Sequence, residues 1–153
     1  LRACSYELAS GFSRFYSFVF MSTLRKKVKY LQKEHNLKAL ADIKPRKLKT
    51  FLDFDELVTA PLHGFESAED YWKKSSSKQF LADIKVPTLI ANAQNDPFLS
   101  QECYPSDLEI NNSNITAIYP QFGGHVGFIE GKLNDNTWME LKAYDFIQNI
   151  LRK

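Results

Sequence analysis

Two short stretches hold the side chains whose types and spacing could do chemistry. Gln121-Phe122-Gly123-Gly124-His125-Val126-Gly127-Phe128 sets an imidazole among three glycines and two flanking aromatics, and Asn95-Asp96-Pro97-Phe98 supplies an acid 29 residues before the histidine. An aspartate that accepts the Nδ1 proton of a histidine fixes its tautomer. It also stabilises the imidazolium formed when Nε2 takes a proton from a nucleophile, so acid and base are two members of a Ser-His-Asp triad. Gly123 and Gly124 would let the loop turn without a Cβ and bring the ring to a cleft. On spacing alone a plainer reading stands beside this one, with Asp96 capping the next helical turn and His125 an ordinary loop histidine.

Both residues follow segments that read as strands. Thr88-Leu89-Ile90-Ala91-Asn92-Ala93 is short and nearly all apolar, as in a parallel strand covered on both faces. Pro97 stops it and biases Asp96 towards extended backbone. A polar helix or turn around Leu99 to Leu108 leads to a second strand, Asn114 to Pro120, which ends in the His125 loop. Thr137 to Arg152 reads as a helix, with Thr137-Trp138-Met139-Glu140 as a capping box and Trp138, Leu141, Tyr144, Ile147 and Leu151 as its buried stripe. Strand, crossover, strand and helix make α/β architecture, in which ligands bind beyond the carboxyl ends of strands. Asp96 and His125 both lie there.

The segments before residue 86 read as helical. Phe12, Phe15, Tyr16, Val19, Leu24, Val28 and Leu31 fall at roughly helical spacing, and Leu1 to Cys4 is expected to be the tail of a strand. Pro45 starts a short helical piece with Leu48, Phe51 and Leu52 on its apolar side. Thr59 to Phe65 reads as a turn-rich connection, Ser67 caps a helix through Tyr71, Trp72 and Lys73, and Lys78 to Ile84 forms a last helical turn.

Composition narrows the function classes. With 153 residues, 44% hydrophobic and 25% charged, the chain is of globular type and can bury a sizeable core. No apolar run approaches a membrane span and no leader pattern opens the sequence. Cys4 and Cys103 lack zinc spacing and read as free thiols, which places the chain in a reducing, cytoplasmic setting. Two glycosylation-type triplets, starting at Asn111 and Asn114, weigh slightly against this. His63 lies in a loop with no partner ligand and reads as structural. Between Arg25 and Lys49, ten Lys or Arg residues stand against Glu34 and Asp42. This basic segment reads first as a solvated helix face and next as a surface for anionic membrane; no nucleic-acid signature accompanies it.

Pro87-Thr88-Leu89-Ile90, Asn95-Asp96-Pro97-Phe98 and Gly123-Gly124-His125-Val126-Gly127-Phe128 together resemble the C-terminal part of α/β-hydrolases, most closely the YheT-like branch of esterases and lipases. Phe54-Asp55, Val58 to Phe65 and Tyr71-Trp72 resemble that branch's cap, so the resemblance covers nearly the whole chain. It implies that residues 1–10 end a core strand, 11–85 form a helical cap, and 86–153 are the last two or three parallel strands with their helices. It further implies that Asp96 is the triad acid and His125 the base, that esters of small molecules or lipids are the substrates, and that no metal or cofactor is needed. The chain has no G-x-S-x-G nucleophile elbow and opens on Leu1 rather than Met, so the missing N-terminal half of the same fold is expected to hold the serine. The chain alone is expected to lack triad catalysis and to be marginally stable or to associate. The rival reading is a hydrolase-like module that only binds, through its basic surface, a membrane or a partner.

Overall fold

Residues 2–8, 11, 13–35, 37–128 and 137–152 are described in a computed structural model. They fall into two units, Leu1–Ser76 and Ser77–Lys153.

The first unit is helical. Arg2–Glu7 forms a short helix, α1, where a strand tail was expected. A strand needs a neighbour to take its backbone hydrogen bonds, whereas a helix satisfies them within itself. Helix α2 covers Ser13–His35; Phe12, its expected first residue, lies outside the described residues. Its buried stripe is Met21 and Val28, with Leu24 and Leu31 packed beside them, and these four join Leu40, Leu48 and Val58 as the core of the unit. Positions 21, 24, 28 and 31 follow the helical repeat. The aromatic first half does not take part: Phe15 and Phe18 are 65% and 68% exposed.

After a 3-10 turn at Pro45–Lys47 the chain does not continue as one helical piece. Thr50 restarts it with a capping box, its hydroxyl accepting from Asp53 N and the Asp53 carboxylate accepting from Thr50 N. The helix then runs as α3 (Phe51–Phe54), a π turn (Asp55–Thr59) and α4 (Ala60–His63). A turn-rich connection was expected at 59–65. The π turn is what admits the proline: Ala60 N donates to the carbonyl of Asp55, five residues back, which widens the ladder where Pro61 has no N–H to give. Asp55 fastens this turn to helix α5 (Ala68–Ser75), accepting from Trp72 Nε1 at 2.7 Å and from Thr59 Oγ1 at 2.8 Å. Ser67 caps α5 as its position predicts. On the same helix, Lys74 donates to Asp70 at 2.8 Å, which holds the Asp70 carboxyl below its ordinary range and raises the Lys74 ammonium.

The second unit is built on two parallel strands, β1 (Thr88–Ala91) and β2 (Ile115–Ile118), paired Thr88 with Ile115 through Ala91 with Ile118. Backbone bonds carry the ladder further, from Asn92 N to Ile118 O and from Gln94 N to Pro120 O. Both strands are half-buried rather than enclosed on two faces. Ser77–Asp83 is a 3-10 segment tied to the strand ends by Asn112, whose Nδ2 donates to the carbonyls of Leu81 and Ile84, both at 2.8 Å. A 3-10 turn (Gln101–Cys103) and α6 (Asp107–Ile110) make the crossover. Cys103 and, in the first unit, Cys4 are both half-buried.

Helix α7 (Trp138–Leu151) starts at the expected Thr137–Glu140 capping box. Its expected stripe is corrected: Tyr144 and Leu151 are 62% and 74% exposed, and Leu141 and Ile147 are exposed as well. Phe146 and Ile150, with Lys142, Asp145 and Asn149, face a groove of about 610 Å³ against Leu89, Thr116 and Ile118 instead. A two-stranded sheet offers one narrow apolar strip, enough for one side of a helix that is apolar on two.

Candidate active site

The candidate site lies just beyond the carboxyl ends of β1 and β2. At the end of β1, Gln94 N pairs with Pro120 O, the last rung of the ladder, and the chain then turns. Within the turn Asp96 N donates to Ala93 O and Leu99 N to Asp96 O, while Asp96 Oδ1 accepts from Phe98 N at 2.9 Å. This Asx turn uses one carboxylate oxygen to hold its own backbone and leaves the other free to point elsewhere.

That second oxygen, Oδ2, lies 2.8 Å from His125 Nδ1. An ionised carboxylate can only accept, so Nδ1 carries the proton and Nε2 is the basic nitrogen. The Asp96 side chain is 1% exposed and that of His125 is 55% exposed. A buried acid thus holds a ring that is more than half exposed. The two readings left open by spacing combine, since Asp96 braces the turn with one oxygen and the imidazole with the other.

The His125 loop is shaped by contacts that the strand spacing does not supply. Asn95 Oδ1 accepts from Gly124 N at 2.8 Å, a second bond between the two loops at the same sequence separation as Asp96 and His125. That separation is two residues more than in the paired strand residues, and the glycine pair absorbs the excess. Gly124 has φ +58°, in the left-handed region. A Cβ on Gly123 would lie 2.6 Å from Phe128 Cδ1 and 2.9 Å from Ala93 Cβ, so the backbone there passes closer to its neighbours than a side chain allows. Gly123 O accepts from Gly127 N and Phe128 N, which closes the loop on itself. Phe128 is buried and stacks on Trp138 at 5.7 Å, and its carbonyl accepts from Trp138 N, so α7 holds the far end of the loop.

Three supporting residues were not singled out by sequence spacing. Asn95 bridges the loops, the Phe98 ring meets the imidazole edge-on at 4.9 Å, and Tyr104 donates to Ala93 O at 2.6 Å beneath the turn. Asn95 and Phe98 flank Asp96 in sequence, which is the signal that could have marked them; Tyr104 carries none. His63 ends α4 in the other unit, exposed, and among the described residues no three His, Cys, Asp or Glu side chains are grouped to hold a metal ion. No helix among them is long and apolar enough to cross a membrane.

The chain is similar over nearly its full length to known proteins. It is 34% identical to the Escherichia coli protein "Putative esterase YheT" over 99% of the chain and 45% of that protein. It is 28% identical to the human monoacylglycerol lipase ABHD2 over 90% of the chain and 36% of the lipase. Its identity to the mouse phospholipase ABHD3 is 29%, over 69% of the chain and 26% of the phospholipase. The chain therefore spans less than half the length of these curated relatives. No family model and no solved structure matches it.

Proposed function

From relatives that point to the α/β-hydrolase superfamily, with which the helices and the small parallel sheet are compatible, we propose that this chain is the C-terminal segment of a serine-type carboxylic-ester hydrolase. In this reading residues 11–85 are the cap and residues 86–153 carry the acid and base. The observation that carries it is the 2.8 Å bond from His125 Nδ1 to a buried Asp96 carboxylate, with the imidazole more than half exposed.

The mechanism follows from that geometry. A serine on the remainder of the full-length protein attacks the ester carbonyl while His125 Nε2 takes its proton. The Asp96 carboxylate stabilises the imidazolium, and backbone donors of the same remainder hold the oxyanion. His125 then protonates the leaving alcohol. Water, activated by the same nitrogen, releases the acyl group, or an alcohol does so in the synthetic direction. This chemistry needs no metal or cofactor. The substrates are esters of small molecules or lipids.

The test is ester hydrolysis by the full-length protein with His125→Ala and, separately, Asp96→Asn. Turnover unchanged in both removes the assignment. A second reading, a hydrolase-like module that binds without catalysis, is favoured by the basic segment of the first unit. It predicts binding that survives both substitutions and no turnover in the parent protein.

A further inference from the structure

The ten basic residues between Arg25 and Lys49 are not spread evenly over a solvated face. Half of them converge on one groove of the first unit, with a volume of about 880 Å³. Arg25, Lys26 and Lys29 line it from α2, and Lys44 and Arg46 from the connection that follows. Among the described residues none of the five has a carboxylate within ion-pair distance. Five like charges around one concavity repel one another, and their field is focused into the groove, where a bound anion would relieve it.

The walls are fixed. Gln32 Nε2 donates to Leu40 O at 2.7 Å and to Ile43 O at 2.8 Å, and Arg25 Nη1 donates to Leu48 O at 3.1 Å, so the connection is pinned to α2 on both sides of the groove. Leu40 and Leu48, at the pinned points, are fully buried core residues. The backbone that carries the cations is therefore a fixed support.

We propose that this groove binds a phosphate-bearing anion, either the head group of an acidic phospholipid or a soluble phosphate ester. A phosphate accepts from several cations at once, and the groove is larger than one phosphate needs, which leaves room for the alcohol esterified to it. Single-stranded nucleic acid is disfavoured because no aromatic side chain lines the groove, so bases would have no surface to stack on. The inference rests on the groove alone and holds whether or not the protein hydrolyses esters.

The experiment uses the full-length protein and two probes: vesicles of phosphatidylcholine with or without phosphatidic acid, and soluble glycerol 3-phosphate. Lys29→Gln/Lys44→Gln/Arg46→Gln empties the groove of three exposed cations. Lys27→Gln/Lys47→Gln/Lys49→Gln makes the same change in net charge outside it. The groove variant should weaken binding roughly a hundredfold, about fivefold per cation, and the control far less. Lys29→Gln alone, at about fivefold, is the test that a loss of folding in the triple variant does not affect. Binding to acidic vesicles assigns the site to a lipid head group, and saturable binding of glycerol 3-phosphate without vesicle binding assigns it to a soluble ester. Equal losses in the two triple variants, no binding of either probe, or tighter binding of homopolymeric RNA than of both would overturn the proposal.

Discussion

Gly123→Ala is the most direct probe of how the His125 loop is held. The new Cβ would meet Phe128 Cδ1 at 2.6 Å, Cε1 at 2.7 Å and Ala93 Cβ at 2.9 Å. Carbon atoms in contact settle at about 3.5–4.0 Å, so the overlap is about 1 Å on two sides at once. Neither neighbour has room to retreat. Phe128 is 7% exposed and stacked on Trp138. Ala93 is fully buried, and its carbonyl accepts from both Tyr104 Oη and Asp96 N. Overpacking a tight site costs about 1–3 kcal/mol, and with both walls fixed the cost should lie near the upper end, about 3 kcal/mol, a shift of roughly a hundredfold in the folding equilibrium. What yield there is must come from the loop, and moving it separates His125 from Asp96, so activity should fall by more than stability alone explains. Urea unfolding of the full-length protein measures the first effect, and ester hydrolysis at a temperature where the variant is folded measures the second. Gly123→Ala/Phe128→Leu relieves the clash with the ring but not the one with Ala93, so Gly123→Ala should cost less in the Phe128→Leu background than in the parent. Gly123→Ala within about 0.5 kcal/mol of the parent, with unchanged turnover, would refute the packing argument.

Three further outcomes are expected. Asp96→Asn keeps an oxygen for Phe98 N but turns an amide towards His125 Nδ1, which forces the proton onto Nε2; kcat should drop about ten-thousandfold with KM little changed, and equal kcat in variant and parent would refute the orienting role. Asp55→Ala leaves the indole N–H of the buried Trp72 without its acceptor and should cost about 1–3 kcal/mol in urea unfolding. Asp55→Asn should cost much less, because its carbonyl still accepts from the indole and the Thr59 hydroxyl can turn to accept from the amide. Asn112→Ala removes the donor that ties the 3-10 segment Ser77–Asp83 to the strand ends, at a similar cost; hydrogen exchange in residues 77–84 should speed up while that in β1 changes little, and equal acceleration in both would contradict the local role.

What could be read in the linear chain was set by local chemistry. Caps depend on a hydroxyl and residues three positions on, and Ser67 and Thr137 stand where expected. Short apolar runs bounded by proline or glycine found both strands, and an acid and a histidine placed just after them proved to be in contact. The family-like pattern around these residues extended the reading to a mechanism that residue spacing could not supply.

Other features were decided by partners remote in sequence. Periodicity shows that α7 is apolar on more than one side but not which side turns towards the sheet, and the half-buried Phe146 lines the groove beside it while Tyr144 and Leu151 are exposed. The aromatic start of α2 is exposed for the same reason, because burial needs a facing surface as well as a hydrophobic side chain. Thr59 to Phe65 reads as a turn-rich connection, but the π turn before Pro61 lets the helix run on to His63. The basic segment is legible as charge, but only the folded connection selects which five cations share a groove. The same holds at His125. Sequence alone determined that an imidazole and a carboxylate would stand at neighbouring strand ends. Tertiary structure decided that one oxygen of Asp96 serves the turn and the other the ring, because each bond depends on the packing of Ala93, Gly123 and Phe128 beneath it.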